Sequence, residues 1–328
     1  FMRIKVCIFL GLFLLNLANA EARKRVVVAD NMLPIPSLFL FLTDAKLVYI
    51  PQSTQTALKN SIVSDFFPQV SSIKSGENDS FEELLELNAD LYICYKDTMK
   101  LCSALQKANV KTLPLKIKIA NYNSKEVLKY WLNEINKHFD IKEKSDKIIA
   151  DIDKIEKQNA QILKGIKPIR AMIMSIYQNK IIVGAFGDYL LQNSGGVDIF
   201  KGVWNLNNGG VVNIEEIYRL NPEVIYLTNF TPAQPEDLIN NKKWQGIDAI
   251  KNKRVYKLPL ATYRPYAPNL DLAVLLKFLA QKNHPKLFKN IDIKTEYKRH
   301  FKEFYDLKLT NEQIKRILNP SKEAGMIK

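Results

Sequence analysis

The sequence predicts an α/β protein of two similar lobes with mainly parallel sheets, joined by one long rigid helix. Three observations carry that expectation. The first is a repeat: Asn78 to Tyr95 (NDSFEELLELNADLYICY) is restated at Asn213 to Thr228 (NIEEIYRLNPEVIYLT), with Glu82, Glu83, Leu87 and Asn88 matching Glu215, Glu216, Leu220 and Asn221 at a constant offset of 133 residues. Each copy opens on a capping-box pattern, Ser80-x-x-Glu83 or Asn213-x-x-Glu216, then reads as a two-turn helix, a break at Asn-Ala or Asn-Pro, and an apolar run without alternation. That is helix, turn and buried parallel strand, twice; a solenoid would need three or more copies at short period. The second is the alternation of strand and helix patterns elsewhere, the mark of a parallel α/β sheet. The third is a stretch of about 45 residues between the copies with no strand signal, read as helix throughout.

In order, Arg25–Ala29 is a Val-rich strand, Asp30–Pro36 a loop with two prolines, Ser37–Leu42 a helix and Lys46–Ile50 the second strand. A helix follows near Thr54–Val63, then a third strand at Val70–Ile73 and the first repeat unit; Thr98–Ala108 is helical and Lys111–Leu115 returns to the sheet. This first lobe is placed at residues 21–121 and a helical linker at 122–164. Within the linker, Ile148, Ile152, Ile155 and Ile162 give one apolar stripe on a long charged helix, Lys142–Lys164. The second lobe, 165–328, begins with strands Arg170–Ile176 and Lys180–Val183 around a Gln178-Asn179 turn, then a helix Asp188–Asn193 and the second repeat unit. Arg254–Leu258 is the last strand, leading into PLATYRPYAP (259–268) and the apolar helix Leu270–Ala280; Lys294–Tyr305 and Asn311–Leu318 are amphipathic helices.

Residues 1–20 read as an export signal: Arg3 and Lys5, the apolar run Val6–Leu15, and Ala18-Asn19-Ala20 as the small-x-small cleavage site, leaving a soluble periplasmic chain. Its removal lowers the net charge from +14 to +12. The lysines are scattered among acids, without interleaved aromatics, so nucleic acid is not the expected partner. Cys94 and Cys102 then remain; a disulfide is open, but two independent buried thiols are the expectation.

The paired E-E-x-x-x-L-N-(A/P)-(D/E)-(L/V) units, the helix between them, the Gly195-Gly196 pair after Asn193 and the ending NHPKLFKNIDI (283–293) resemble the helical-backbone, or class III, periplasmic substrate-binding proteins of ABC transporters for metal chelates. The resemblance covers residues 25 to about 318. It implies a ligand cleft between the lobes, delivery to an inner-membrane permease, a monomer with no resident cofactor, and no chemistry on the ligand. The ligand it implies is a ferric siderophore or haem, with iron the expected metal; cobalamin, a nickel or cobalt chelate and molybdate are the alternatives. By the capping argument Glu83 and Glu216 are held by backbone donors, leaving Glu82 and Glu215 free, and the resemblance makes these two the permease-docking pair.

Ligands of parallel sheets sit beyond the strand carboxyl ends. The expected ligand-binding residues are therefore Asn31, Met32, Tyr95 and Lys96 from the first lobe and Tyr189, Tyr263, Arg264 and Tyr266 from the second. Gln52, Ser53, Tyr177, Phe186, Asn229 and Phe230 lie on the same loops. Tyrosines with Arg and Lys suit a planar or anionic chelate. His138, His284 and His300 all fall on or beside helices outside those loops, and Glu134/His138 at i, i+4 read as a solvated pair, so a bare metal ion is not the expected ligand. An exported enzyme is the rival class, and the sequence carries no Ser-His-Asp, Cys-His, H-E-x-x-H or phosphate-loop pattern to support it.

Overall fold

The computed structural model describes residues 23–30, 32–77, 80–96, 100–201 and 210–327. The export-signal reading at 1–20 and the site reading of Asn31 lie outside them. In the first lobe the chain runs β1 (Arg25–Val28), α1 (Ile35–Leu42), β2 (Lys46–Pro51), α2 (Gln52–Lys59), α3 (Val63–Phe66), β3 (Lys74–Gly76), α4 (Phe81–Leu85), β4 (Leu91–Tyr95), α5 (Lys100–Lys107) and β5 (Thr112–Leu115). The five strands pair in parallel in the order β3-β2-β1-β4-β5.

Two expectations for this lobe are corrected. Val70 lies in a 3-10 turn, not a strand, because the Gln55 amide takes the Val70 and Ile73 carbonyls at 3.0 and 2.6 Å; the third strand starts at Lys74, opposite Tyr49. Cys94 and Cys102 are not independent thiols but a disulfide, since α5 packs back on β4 and sets their Cα atoms 5.6 Å apart, within bridging range.

Two helices follow, α6 (Ser124–Asn136) and α7 (Lys142–Ile162). The stripe on α7 is buried at Ile148, Ile152 and Ile155, but Ile162 closes the helix and is 45% exposed. Its expected place is taken by Asn159, buried, whose amide donates to the Asn193 carbonyl at 2.9 Å. At about 1.5 Å per residue this 21-residue helix is roughly 30 Å long.

The second lobe contains β6 (Ile169–Tyr177), β7 (Lys180–Val183), α8 (Gly187–Gln192), β8 (Gly196–Asp198), β9 (Gly210–Val212), α9 (Ile214–Leu220), β10 (Val224–Leu227), α10 (Pro235–Ile239), α11 (Asp248–Lys251) and β11 (Val255–Lys257). Its sheet runs β11-β10-β6-β7-β9, with β8 pairing β6; the β6–β10 and β10–β11 pairs are parallel, while β7 forms antiparallel pairs with β6 and β9. Gln178 and Asn179, at φ 48° and 61°, make the tight β6–β7 turn. The chain continues through α12 (Leu272–Asn283), α13 (Ile293–Tyr305) and α14 (Asn311–Leu318). The last two helices reach the first lobe: Phe301 packs edge-on against Phe41, and Arg316 pairs with Asp65 at 2.7 Å. One apolar core runs from Phe39 through Trp131 and Ile152 to Leu190 and Leu276, crossing both lobes. No helix among the described residues is long and apolar enough to cross a membrane.

The repeat is physical as well as textual. Asp90 accepts the Arg25 N–H at 2.7 Å and Glu223 accepts the Arg170 N–H at 3.0 Å, so each second strand is docked on its lobe's central strand by the same carboxylate clasp. Asn88 and Asn221 both turn the chain in the left-handed region, at φ 45° and 42°. The caps differ from expectation. Ser80 and Asn213 do accept the Glu83 and Glu216 N–H groups, but the reciprocal carboxylate arm is not formed among the described residues. Ser80 instead donates its hydroxyl to Glu82 at 3.1 Å, and Glu216 faces Arg219 at 4.0 Å. Glu82 and Glu215 are both exposed.

The left-handed turns give a test. Replacing Asn88 or Asn221 by Val should cost about 1–2 kcal/mol, the penalty for a β-branched residue at positive φ, whereas Gly should be nearly neutral at 88 and at 221 should lose only the bond that the Asn221 side chain accepts from the Asp248 N–H at 2.9 Å. Urea titration of the four variants measures it.

Candidate functional site

The lobes meet where their parallel strands end. Asp30, at φ 54° just after β1, accepts the Tyr95 N–H at 3.1 Å and so ties the ends of β1 and β4 together. Beyond β11 the chain enters the loop 258–271, which every neighbour holds down. The Asn229 amide donates to the Leu258 and Pro259 carbonyls at 2.9 and 3.2 Å, and Asp271 accepts the Thr262 N–H and hydroxyl at 2.6 and 2.7 Å. Ser37 of the first lobe donates to the Thr262 carbonyl at 2.7 Å. Burial pushes the Asp271 carboxyl up to about 7 and the facing His300, 3.7 Å away, down to about 3.

This loop brings Tyr263 and Arg264 against the first lobe. Tyr263 is fully buried, its hydroxyl 3.5 Å from that of Thr54. Arg264 is also fully buried and donates to Ser53 Oγ at 2.8 Å, to the Ala324 carbonyl at 2.9 Å and to the Met326 carbonyl at 2.8 Å, with its guanidinium 4.8 Å over the Phe230 ring. All these hydrogen-bond acceptors are neutral. Beside it Lys257, also buried, donates to the Thr231 and Ala233 carbonyls at 2.6 and 2.8 Å; burial first, then the Arg264 charge, pushes its pKa down to about 7.

A second group lies at the ends of β6 and β7. The Tyr266 hydroxyl rests beside Gly184 and Gly187, where a β-carbon on Gly184 would come within 2.7 Å of it. Phe186 packs edge-on against Tyr266 at 6.2 Å and against Tyr122 at 5.5 Å. Sequence reasoning did not single out Tyr122. It ends a run of three left-handed residues, Ala120, Asn121 and Tyr122, a conformation that no motif announced.

The other expected positions are dispersed. Met32 is a core residue, Tyr95 is half-buried and Lys96 exposed. Tyr189 is a strut: its hydroxyl donates to Glu156 at 2.6 Å, and Lys125 closes the network on Glu156 and Asp153, so α8, α7 and α6 are clasped together. Burial and the Glu156 carboxylate both push that phenol up. His138 borders Lys24 and Phe139 and His284 binds the Gly195 carbonyl, while His300 is buried among α13 aromatics behind Asp271, the anchor of the 258–271 loop. A groove of about 630 Å³ lined by Tyr256, Phe278, Lys282 and Asn319 lies on the outer edge of β11, not between the lobes.

The sequence profile of the periplasmic binding protein family matches residues 39–262, both repeat units included. The chain belongs to that family. The fold of this binding protein is similar to that of a periplasmic solute-binding protein from Veillonella parvula, at TM-score 0.77 and 22% identity, covering 92% of this chain and 94% of that one. It is also similar to Helicobacter pylori CeuE, solved with Ni(II) bound, at TM-score 0.72 and 23% identity over 91% of this chain and 95% of that one. Haemophilus influenzae MolA, solved with molybdate, aligns at TM-score 0.70 and 17% identity over 88% of this chain and 95% of that one. In sequence, 95 residues, 29% of this chain, are 27% identical to the molybdate-binding protein MolA of H. influenzae and span 27% of its length.

The buried lysine of the binding protein sets a pH test. A lysine of depressed folded pKa binds fewer protons than its unfolded counterpart between about 7 and 10.5, so stability should rise with pH across that window. Lys257→Met should flatten this slope, by up to about 1.4 kcal/mol per pH unit, without touching the opposite contribution of Asp271 below pH 7. Melting temperatures from pH 6 to 10 compare the two proteins.

Proposed function

We propose that this protein is the soluble solute-binding component of an ABC importer, a monomer in the periplasm that captures an anionic metal complex between its lobes and hands it to an inner-membrane permease. One observation carries the ligand class: a buried guanidinium at the lobe junction, Arg264, with the buried Lys257 amine nearby, their hydrogen bonds among the described residues going only to carbonyls and a hydroxyl. Charged acceptors make the stronger bonds to such donors. The Tyr122–Phe186–Tyr266 ring cluster at the ends of β6 and β7 suits a planar or aromatic chelate, which supports a ferric siderophore or haem. A second reading, molybdate, draws its support from the stretch similar to MolA. Lys96, exposed at the end of β4, would meet the ligand from the first lobe. Protein purified from its own cells should carry iron and either a charge-transfer or a Soret absorption band; a colourless protein containing molybdenum would establish the second reading instead.

For delivery, Glu82 and Glu215 are the proposed permease contacts. They occupy equivalent first-turn positions of α4 and α9, both helices lead into strands of their sheets, and both side chains are exposed. Replacing both with Ala should change stability by less than about 1 kcal/mol, the scale of an exposed helix-terminus charge. Ligand affinity should persist while ligand-stimulated ATP hydrolysis by the transporter in liposomes is lost. Full stimulation by the double variant would remove the role.

A further inference from the structure

The chain beyond α14 lies at the proposed site. Ala324 is fully buried, and its carbonyl and that of Met326 occupy the Arg264 guanidinium. Gly325 is pressed on the second lobe so closely that a β-carbon would come within 2.1 Å of the Thr231 carbonyl oxygen. On the other side Glu323 and Met326 border Gln52, Gln55 and Lys59 of α2 in the first lobe. The segment 320–327 is therefore a strap lodged between the lobes at the strand ends. It sits over Arg264, whose hydrogen-bond acceptors among the described residues are all neutral, and against the carbonyl that also holds Lys257.

Its polar contacts hold no opposite charge against the guanidinium among the described residues. The guanidinium bonds go to neutral carbonyls, and the contact of Lys322 with Asp237 is 3.9 Å long between exposed side chains. A carboxylate, catecholate or oxyanion oxygen adds an opposite charge that a carbonyl cannot supply, and a carboxylate can also take the guanidinium fork through two parallel bonds. We propose that residues 320–327 are a built-in occupant of the Arg264 subsite, which an anionic ligand displaces in order to bind. Strap and ligand compete for the same donors, so part of the ligand's binding free energy is spent on release of the strap. This inference rests on the reading of Arg264 as an anion-binding group.

Hydrogen exchange on the full chain, with molybdate and separately with a ferric tricatecholate as probes, tests it. The amides of Ala324–Met326 should exchange at least tenfold faster when a probe is bound, with α2 unchanged. Gly325→Val, which forces the strap off Thr231, should bind that probe at least tenfold more tightly, and Gly325→Val with Arg264→Gln should lose the gain. A probe that binds while the strap stays protected overturns the proposal and leaves the ligand reading standing. So does a Gly325→Val protein whose strap exchanges freely at unaltered affinity. If neither probe binds either the natural chain or Gly325→Val, both the anionic-ligand reading and the strap proposal fall.

Discussion

The apolar seam along α7 is what the remainder of the molecule depends on. Ile148, Ile152 and Ile155 lie in one core with Phe39 of the first lobe and Leu276 of the second, so the lobes share an interior instead of merely touching. Fully burying such side chains is worth about 1.5–3 kcal/mol each, and opening the lobes by a large hinge would forfeit several of them together. The Tyr189–Glu156–Lys125 network adds a polar lock on the same seam. Access to the proposed site would then come from smaller movements at its rim, where loops and residues 320–327 are held by hydrogen bonds.

Much of the fold was legible because it is written locally. The repeat marked Asn88 and Asn221, which occupy the same left-handed turn, and Asp90 and Glu223, which make the same clasp to the central strand. The α14 boundaries follow from its amphipathic pattern and its Thr310 cap. What misled were positions decided by partners distant in sequence. Val70 has the composition of a strand, but its carbonyl is claimed by Gln55; Asn159 reads as a surface residue but is buried to bond Asn193.

The geometry around the proposed site was legible only in part. The order of elements placed the loop of Tyr263, Arg264 and Tyr266 beyond the last strand, where it lies, yet nothing in residue type announced that Tyr263 is fully buried or that the Tyr189 hydroxyl braces three helices. The residues 320–327 have no periodicity or motif, so their lodging against Arg264 belongs to tertiary structure alone.

The disulfide between Cys94 and Cys102 has a practical consequence. It closes a short loop, with eight residues of sequence separation, at the very end of β4 where Tyr95 and Lys96 emerge. The two cysteines belong to a small buried cluster of the first lobe with Val27, Tyr92 and Leu105, while the larger cores are built from other residues. Material made in a reducing cytosol would therefore keep its overall shape while losing the staple on one lip of the cleft. A preparation could pass every test of folding and still give a misleading ligand titration.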